Sequence, residues 1–340
     1  MKKQISIFLV LLIPLILSAQ YDSNVSNVAT TAASFLEIGV GSRAIGMGGA
    51  FVATANDASA MYWNPAGIGR LASPEIIFVH TRWIADITFD YAGFVIPLGS
   101  AGTMGASLTM LNMGEMEVRT EMLQEGTGEF FDVSDMAIGV TYGLNLTDRF
   151  SLGISGKYIL QKIWKEQADG FALDIGTIYD TPVNGLRIGA ALTNFGSDMR
   201  MEGDDLLVYH DIDPKQSGNN DRIFAELQTS SWPLPLNFQL GVAMDLVQTE
   251  SNRLTVAVDA IHPIDNTESM NTGIEYGFNN NFFLRVGYQN LFLRDSEEGL
   301  TAGAGVQTGL LGNVTVGFDY AYADFGRLQN AHRFSVNLVF

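Results

Sequence analysis

The sequence predicts an all-β fold: a transmembrane antiparallel β-barrel of about 14 strands with an N-terminal hatch in its lumen. Three observations lead there. From Glu75 onward, apolar residues alternate with small or polar ones over ten or more positions at a time. Every second connection between these runs is short, while the alternate set contains the long ones. One Gly- and Ala-rich stretch, residues 41–69, carries only Arg43 and Asp57 as charges and shows no such alternation.

The alternation is clearest in Asn313–Tyr322, where Val314, Val316, Phe318, Tyr320 and Tyr322 share one face and Thr315, Gly317, Asp319 and Ala321 the other. Leu236–Leu246 and Met136–Asn145 divide in the same way. Successive side chains of a strand point to opposite faces, so each run has one apolar and one small or polar face. Runs of this length suit strands of about 9–11 residues tilted across a bilayer, apolar outward. The segmentation gives strands near 75–82, 87–97, 102–113, 134–146, 149–163, 169–180, 186–195, 235–247, 252–262, 269–279, 281–292, 299–308, 313–322 and 331–340. An even count is expected of a single-chain barrel. The connections 98–101, 147–148, 181–185, 249–251, 280 and 309–312 are short, whereas 114–133, 196–234 and 293–298 fall in the alternate set. With short turns on the periplasmic side, this parity predicts that both termini lie there.

Composition agrees. Of 340 residues, 47% are hydrophobic and only 16% charged, and there are 36 glycines. Charged residues make up about a quarter of an ordinary soluble domain. There is no cysteine, so disulfides, thiolate metal sites and a catalytic thiol are excluded. Residues 1–20 have the form of a cleaved signal peptide: Lys2 and Lys3, an apolar run from Ile5 to Leu17, then Ser18-Ala19-Gln20. Without Lys2 and Lys3 the chain keeps 17 basic against 37 acidic residues, a balance that argues against nucleic acid as a partner. The expected organisation is a signal peptide (1–20), a periplasmic lead-in and hatch (21–72), and an outer-membrane barrel (73–340).

Within the glycine-rich stretch, Gly39-Val-Gly41 and Gly46-Met-Gly48-Gly49 lack both the G-x-G-x-x-G spacing and a following Gly-Lys-Ser/Thr, which removes a nucleotide loop. Glycines here are expected to let backbone pack closely inside the wall. Asn56 or Asp57 can cap a short helix running to Trp63, with Pro65 ending it. The charged residues expected to face the lumen are Asp90, Lys157, Asp174, Arg187, Asp245, Asp259, Glu275, Arg285, Asp319 and Arg333, forming ion pairs that hold the hatch, with Arg43 as partner to one carboxylate. His80, His210, His262 and His332 lie on different segments and form no ligand motif, so no enzyme, metal or cofactor is expected. Asp211–Asp221 is oxygen-rich but lacks the spacing of a Ca²⁺ loop, and reads as solvated acidic loop.

The last strand ends on Phe340, with Phe334, Val336 and Leu338 on its face, and resembles the terminal signal by which barrel insertion machinery recognises its clients. The segment holding Arg43, Gly46, Gly48, Gly49, Asp57, Asn64, Pro65 and Gly67 resembles the N-terminal signature of the PorV/PorQ family of outer-membrane proteins, itself related to FadL-type barrels. The resemblance implies a 14-stranded barrel with a luminal hatch in the outer membrane of a Gram-negative-type bacterium. On the PorV branch it implies a role in type IX secretion and surface attachment, with secretion components or cargo proteins as partners. On the FadL branch it implies passage of hydrophobic small molecules. A transporter should then hold a continuous apolar pocket with a gap sideways into the membrane, and a secretion component a sealed lumen and protein-binding outer loops.

Overall fold

The computed structural model describes residues 27–340 except 214, 217–221, 295 and 311–313. Fourteen long strands form one antiparallel sheet: β1 (Glu75–Arg82), β2 (Thr88–Pro97), β3 (Thr103–Glu117), β4 (Phe130–Thr147), β5 (Phe150–Ile163), β6 (Glu166–Asp180), β7 (Leu186–Gly196), β8 (Asn237–Gln248), β9 (Asn252–Pro263), β10 (Ser269–Phe278), β11 (Phe282–Leu291), β12 (Leu300–Gly309), β13 (Thr315–Asp324) and β14 (Asn330–Val339). Each pairs with its sequence neighbour, and β1 pairs with β14 from Glu75↔Val339 to Arg82↔His332, so the sheet closes into a barrel with no free edge. A free edge would leave unpaired backbone groups in hydrocarbon, which closure avoids. No described helix is long and apolar enough to cross a membrane.

The faces follow the pleat. Ile138, Val140, Ile154, Ile175, Leu240, Ile274, Leu284 and Phe318 are exposed on the outside. Their neighbours Ala137, Thr141, Ser155, Asp174, Ala243, Glu275 and Ala321 are buried on the inside. The long connections gather at one end of the barrel and the short turns at the other. β3 and β4 run past their expected limits, to Glu117 and from Phe130, into the connection expected at 114–133. There the ladder resumes after a bulge between Asn112 and Glu115, with the pairs Glu115↔Asp132, Met116↔Phe131 and Glu117↔Phe130. Backbone hydrogen bonding continues past the bulge, where the register of the alternation is broken. The 197–236 connection likewise folds a small hairpin from Leu207–His210 and Ile223–Glu226.

Residues 27–72 run through the lumen. They include the short helices α1 (Ser42–Gly46) and α2 (Ala60–Trp63) and a 3-10 turn over Pro65–Arg70. Asn64 caps that turn by accepting from the Ala66 amide at 3.2 Å, and Pro65 sits at its first position, where its missing N–H costs nothing. The lead-in differs from expectation. The lead-in of the 21–72 segment was expected on the short-turn side, yet the Ala32 amide donates to the Pro233 carbonyl (2.8 Å) in the 197–236 connection and Thr31 Oγ1 to Asp265 Oδ2 (3.0 Å) in the 264–268 connection at the same end. The first described residues thus lie at the long-connection end, whereas the carboxyl end lies at the short-turn end, with the Phe340 amide donating to the Pro74 carbonyl at 3.0 Å. Phe35 and Leu36, the apolar residues that follow Ala32, are both buried in the core, so this part of the lead-in packs within the protein. Residues 1–26, including the expected signal peptide, lie outside the described residues.

Close approach of the segment to the wall depends on glycine at facing positions. Gly48 has φ +66°, and a Cβ there would lie 2.6 Å from the Thr272 carbonyl oxygen and from the Tyr288 nitrogen; a Cβ on Gly287 would lie 2.1 Å from the Gly48 nitrogen. Both contacts are backbone on backbone and cannot be relieved by turning a side chain. Gly48→Trp is therefore expected to abolish the compact, heat-modifiable band of the folded barrel on denaturing gels. Met122→Trp, in a long connection where Met122 is 93% exposed, should leave that band unchanged.

Candidate functional site

The lumen holds the candidate site, and its polar side chains tie the luminal segment to the wall. Glu275 of β10, 1% exposed, is surrounded by three guanidinium groups. Arg43 of α1 donates Nε and Nη2 to its two oxygens at 3.0 and 3.2 Å, Arg253 of β9 donates at 2.7 Å, and Arg285 of β11 at 2.8 Å. Arg285 also reaches Asp319 of β13 at 2.5 Å, and Asn337 of β14 donates to the other Asp319 oxygen at 3.1 Å. The Arg43 Nη1 group is shared by Asn56 and Asp57 within the segment, at 2.6 and 3.0 Å. A charge in so dry a place is tolerable only when paired, and this network joins five strands of the wall to the segment.

Further anchors run along the segment. Asp259 Oδ2 on β9 accepts from the amides of Phe51 and Val52 at 2.8 and 2.9 Å. Ser335 of β14 accepts from the Ser42 amide at 2.8 Å, Glu75 of β1 from the Ala58 amide at 2.9 Å, and Asn64 Nδ2 donates to the Thr177 carbonyl of β6 at 3.0 Å. At the short-turn end Arg70 pairs with Asp180 at 2.5 Å. Elsewhere on the wall Lys157 pairs with Asp174 at 2.9 Å and Arg187 with Asp245 at 2.9 Å.

Lys157, Asp174, Arg187, Asp245, Asp259, Glu275, Arg285, Asp319 and Arg333 all point into the lumen. Asp90 does not. It lies on the outer face of β2, half exposed, 2.7 Å from His80 of β1. The reason is local: Phe89, Tyr91 and Val95 are the buried set on β2 while Phe94 and Ile96 are exposed, so both faces are apolar and the pattern gives no direction. The sequence reading also passed over inward Glu75, Asp135 and Arg253. Arg253 shares parity with Thr255, Ala257 and Asp259 and could have been found by extending that face to the strand end. Glu75 could have been found in the same way from Ile77 and Val79. Phe334, Val336, Leu338 and Phe340 share the outer face of the last strand, with Phe334 and Phe340 exposed. No grouping of His, Asp and Glu among the described residues could hold a metal, and Asp221 lies outside those residues.

Between the segment and the long connections lies a cavity of about 520 Å³. Phe35, Ile38, Trp63, Trp83, Leu111 and Phe325 line part of it, and Gln239, Asn271, Gln289, Glu37, Glu298 and Arg333 another part. Surrounding protein pushes the Glu37 carboxyl up to about 7, aided by the negative charges of Asp265 and Glu298; the Glu37 side chain nevertheless faces the open cavity, so solvent moderates the energetic effect. Burial also raises Glu298 above the usual carboxylate range, while Arg333 acts in the opposite direction.

Two outcomes follow. Glu275→Ala leaves three buried cations without their common anion and should lower the unfolding free energy by about 3–5 kcal/mol, measured by denaturant titration in micelles. Glu37 has a raised folded-state value, so its contribution is fully present below the unfolded value of 4.5 and is lost as pH rises through about 7. Glu37→Gln should flatten the fall in stability across that window in the same titration.

Comparison with known proteins agrees with the fold. The sequence profile of the PorV family, described as type IX secretion system protein PorV, matches residues 20–267. No curated protein is matched in sequence. Among solved structures, the CymD monoaromatic hydrocarbon channel superposes with a TM-score of 0.57 at 12% identity, covering 89% of this chain and 97% of that one. The Ralstonia pickettii toluene transporter TbuX gives 0.54 at 12% identity, over 88% and 97%. The Pseudomonas putida toluene transporter TodX gives 0.54 at 12% identity, over 88% and 96%. At such identity these three share the barrel fold with this chain, and fold and family together place it in the outer membrane. With the profile covering well over half of its length, this chain belongs to the PorV family.

Proposed function

We propose that this barrel acts in type IX-like protein secretion or surface attachment, holding partner proteins through its long connections while the luminal segment serves as a hatch that plugs the pore. The observation that carries this reading is the large apolar side chains displayed on those connections. Met122, Tyr209, Ile212, Phe224 and Phe292 are between 65% and 93% exposed, and Tyr209 and Phe224 meet as a tilted pair with ring centroids 4.9 Å apart on the small hairpin. Side chains of this kind, outside the hydrocarbon layer and uncovered by the protein itself, are what a protein-binding surface presents. In this reading the long connections face outward, a signal peptide is removed after export, and Phe334–Phe340 addresses the chain to the barrel insertion machinery.

Similarity of fold to hydrocarbon channels supports a second reading, a transporter of hydrophobic compounds. Two features favour the first. Every pair of adjacent wall strands is hydrogen-bonded, interrupted only by bulges, and the cavity is lined by amides and charges as well as apolar groups. The test is affinity purification from outer membranes after mild crosslinking, for the native barrel and for Tyr209→Ser/Phe224→Ser. Secretion components or cargo recovered with the native barrel and reduced at least severalfold with the variant are expected. Recovery of both barrels alone, with bound lipid or hydrocarbon, overturns the secretion reading.

A further inference from the structure

We infer that the luminal cavity at the long-connection end is a saccharide-binding site. Its volume, about 520 Å³, falls within the range of small-molecule sites, about 300–1,000 Å³. What distinguishes it is the pairing of planar polar groups with aromatic faces. Gln239 of β8 and Gln289 of β11 line it from different parts of the wall, both half-buried. Asn237 Oδ1, on β8, is buried without a partner among the described residues.

Arg333 adds the second observation. It is 2% exposed, lines the same cavity, and its Nε and Nη1 have no hydrogen-bond partner among the described residues. Its guanidinium lies over the Trp83 ring, 5.1 Å from the centroid, which holds the plane in place. Each such buried group left unsatisfied costs about 1–3 kcal/mol, so the arrangement is suited to a ligand that supplies the missing donors and acceptors.

The chemistry narrows the ligand. A neutral hydrocarbon would leave Arg333 and Asn237 unpaired. A simple anion would meet Arg333 but also face Glu37 and Glu298 across the same space. A saccharide satisfies both conditions. Its vicinal hydroxyl groups each donate and accept, matching carboxamide, carboxylate and guanidinium planes. Its C–H faces suit aromatic surface, and the half-buried rings of Tyr62 and Trp83, the latter on the side away from Arg333, line the cavity. Lying beside the long connections, the cavity can take a glycan from the same side as a loop-bound partner, but the inference rests on the cavity alone.

The test uses the full barrel, purified in a detergent without a sugar headgroup, on an array of neutral and acidic mono- to tetrasaccharides. The strongest hits, and toluene as control, are then followed by saturation-transfer NMR. At least one glycan should bind saturably in the millimolar range or tighter. Gln239→Ala/Gln289→Ala should weaken it at least tenfold while keeping the heat-modifiable folded band, and Leu284→Ala on the lipid face should leave it unchanged. Should that double variant fail to fold, Gln289→Glu serves as the second variant and must alter the ranking of glycans. Absence of any glycan binding above background, saturable binding of toluene alone, or glycan binding indifferent to the cavity substitutions overturns the inference.

Discussion

Backbone amides and carbonyls find no partner in hydrocarbon, so a sheet that crosses a bilayer has to close on itself. The rest of this molecule depends on that constraint. Closing fourteen strands leaves an interior wider than wall side chains alone can fill, and the chain fills it with its own first part. Small inward residues on the wall and small residues on the segment are one solution seen from two sides. Gly48 against Gly287 shows it most directly, since neither position has room for a Cβ.

Filling the lumen with backbone creates a second problem: the segment has little regular structure, so many of its amides lack partners of their own. Wall carboxylates and hydroxyls meet them, with Asp259 serving Phe51 and Val52, Glu75 serving Ala58, and Ser335 serving Ser42. The arginine-rich surround of Glu275 then locks α1 to five strands at once. Fixed cross-links at several heights set a definite register between the segment and the wall. Beside them, where the packing loosens, the cavity lies next to the long connections.

The strand pattern was legible because a lipid-facing barrel imposes period two on every strand, and the short and long connections alternate with it. The pattern weakened where both faces were apolar, as on β2, and there Asp90 was assigned to the wrong side. It also weakened past the bulge in β3, where β3 and β4 continue as a ladder of mixed polar and apolar pairs. Charged residues inside the wall were legible as a class from strand parity. Their partners were not, because the groups that meet around Glu275 come from positions 43, 253, 275 and 285, and nothing local links them.

By itself, then, the sequence determined the barrel, its strand count, the inward and outward faces of most strands, and a glycine-rich segment suited to close packing. Those properties follow from local alternation and composition, which a linear chain carries in full. Only the tertiary structure decided that Thr31 and Ala32 lie among the connections at the long-connection end, with Ala32 bonded to Pro233, and that Arg333 and Gln289 line one cavity. Such facts depend on which strands become neighbours around a closed ring and on the path taken through its lumen. Sequence separation says nothing about either.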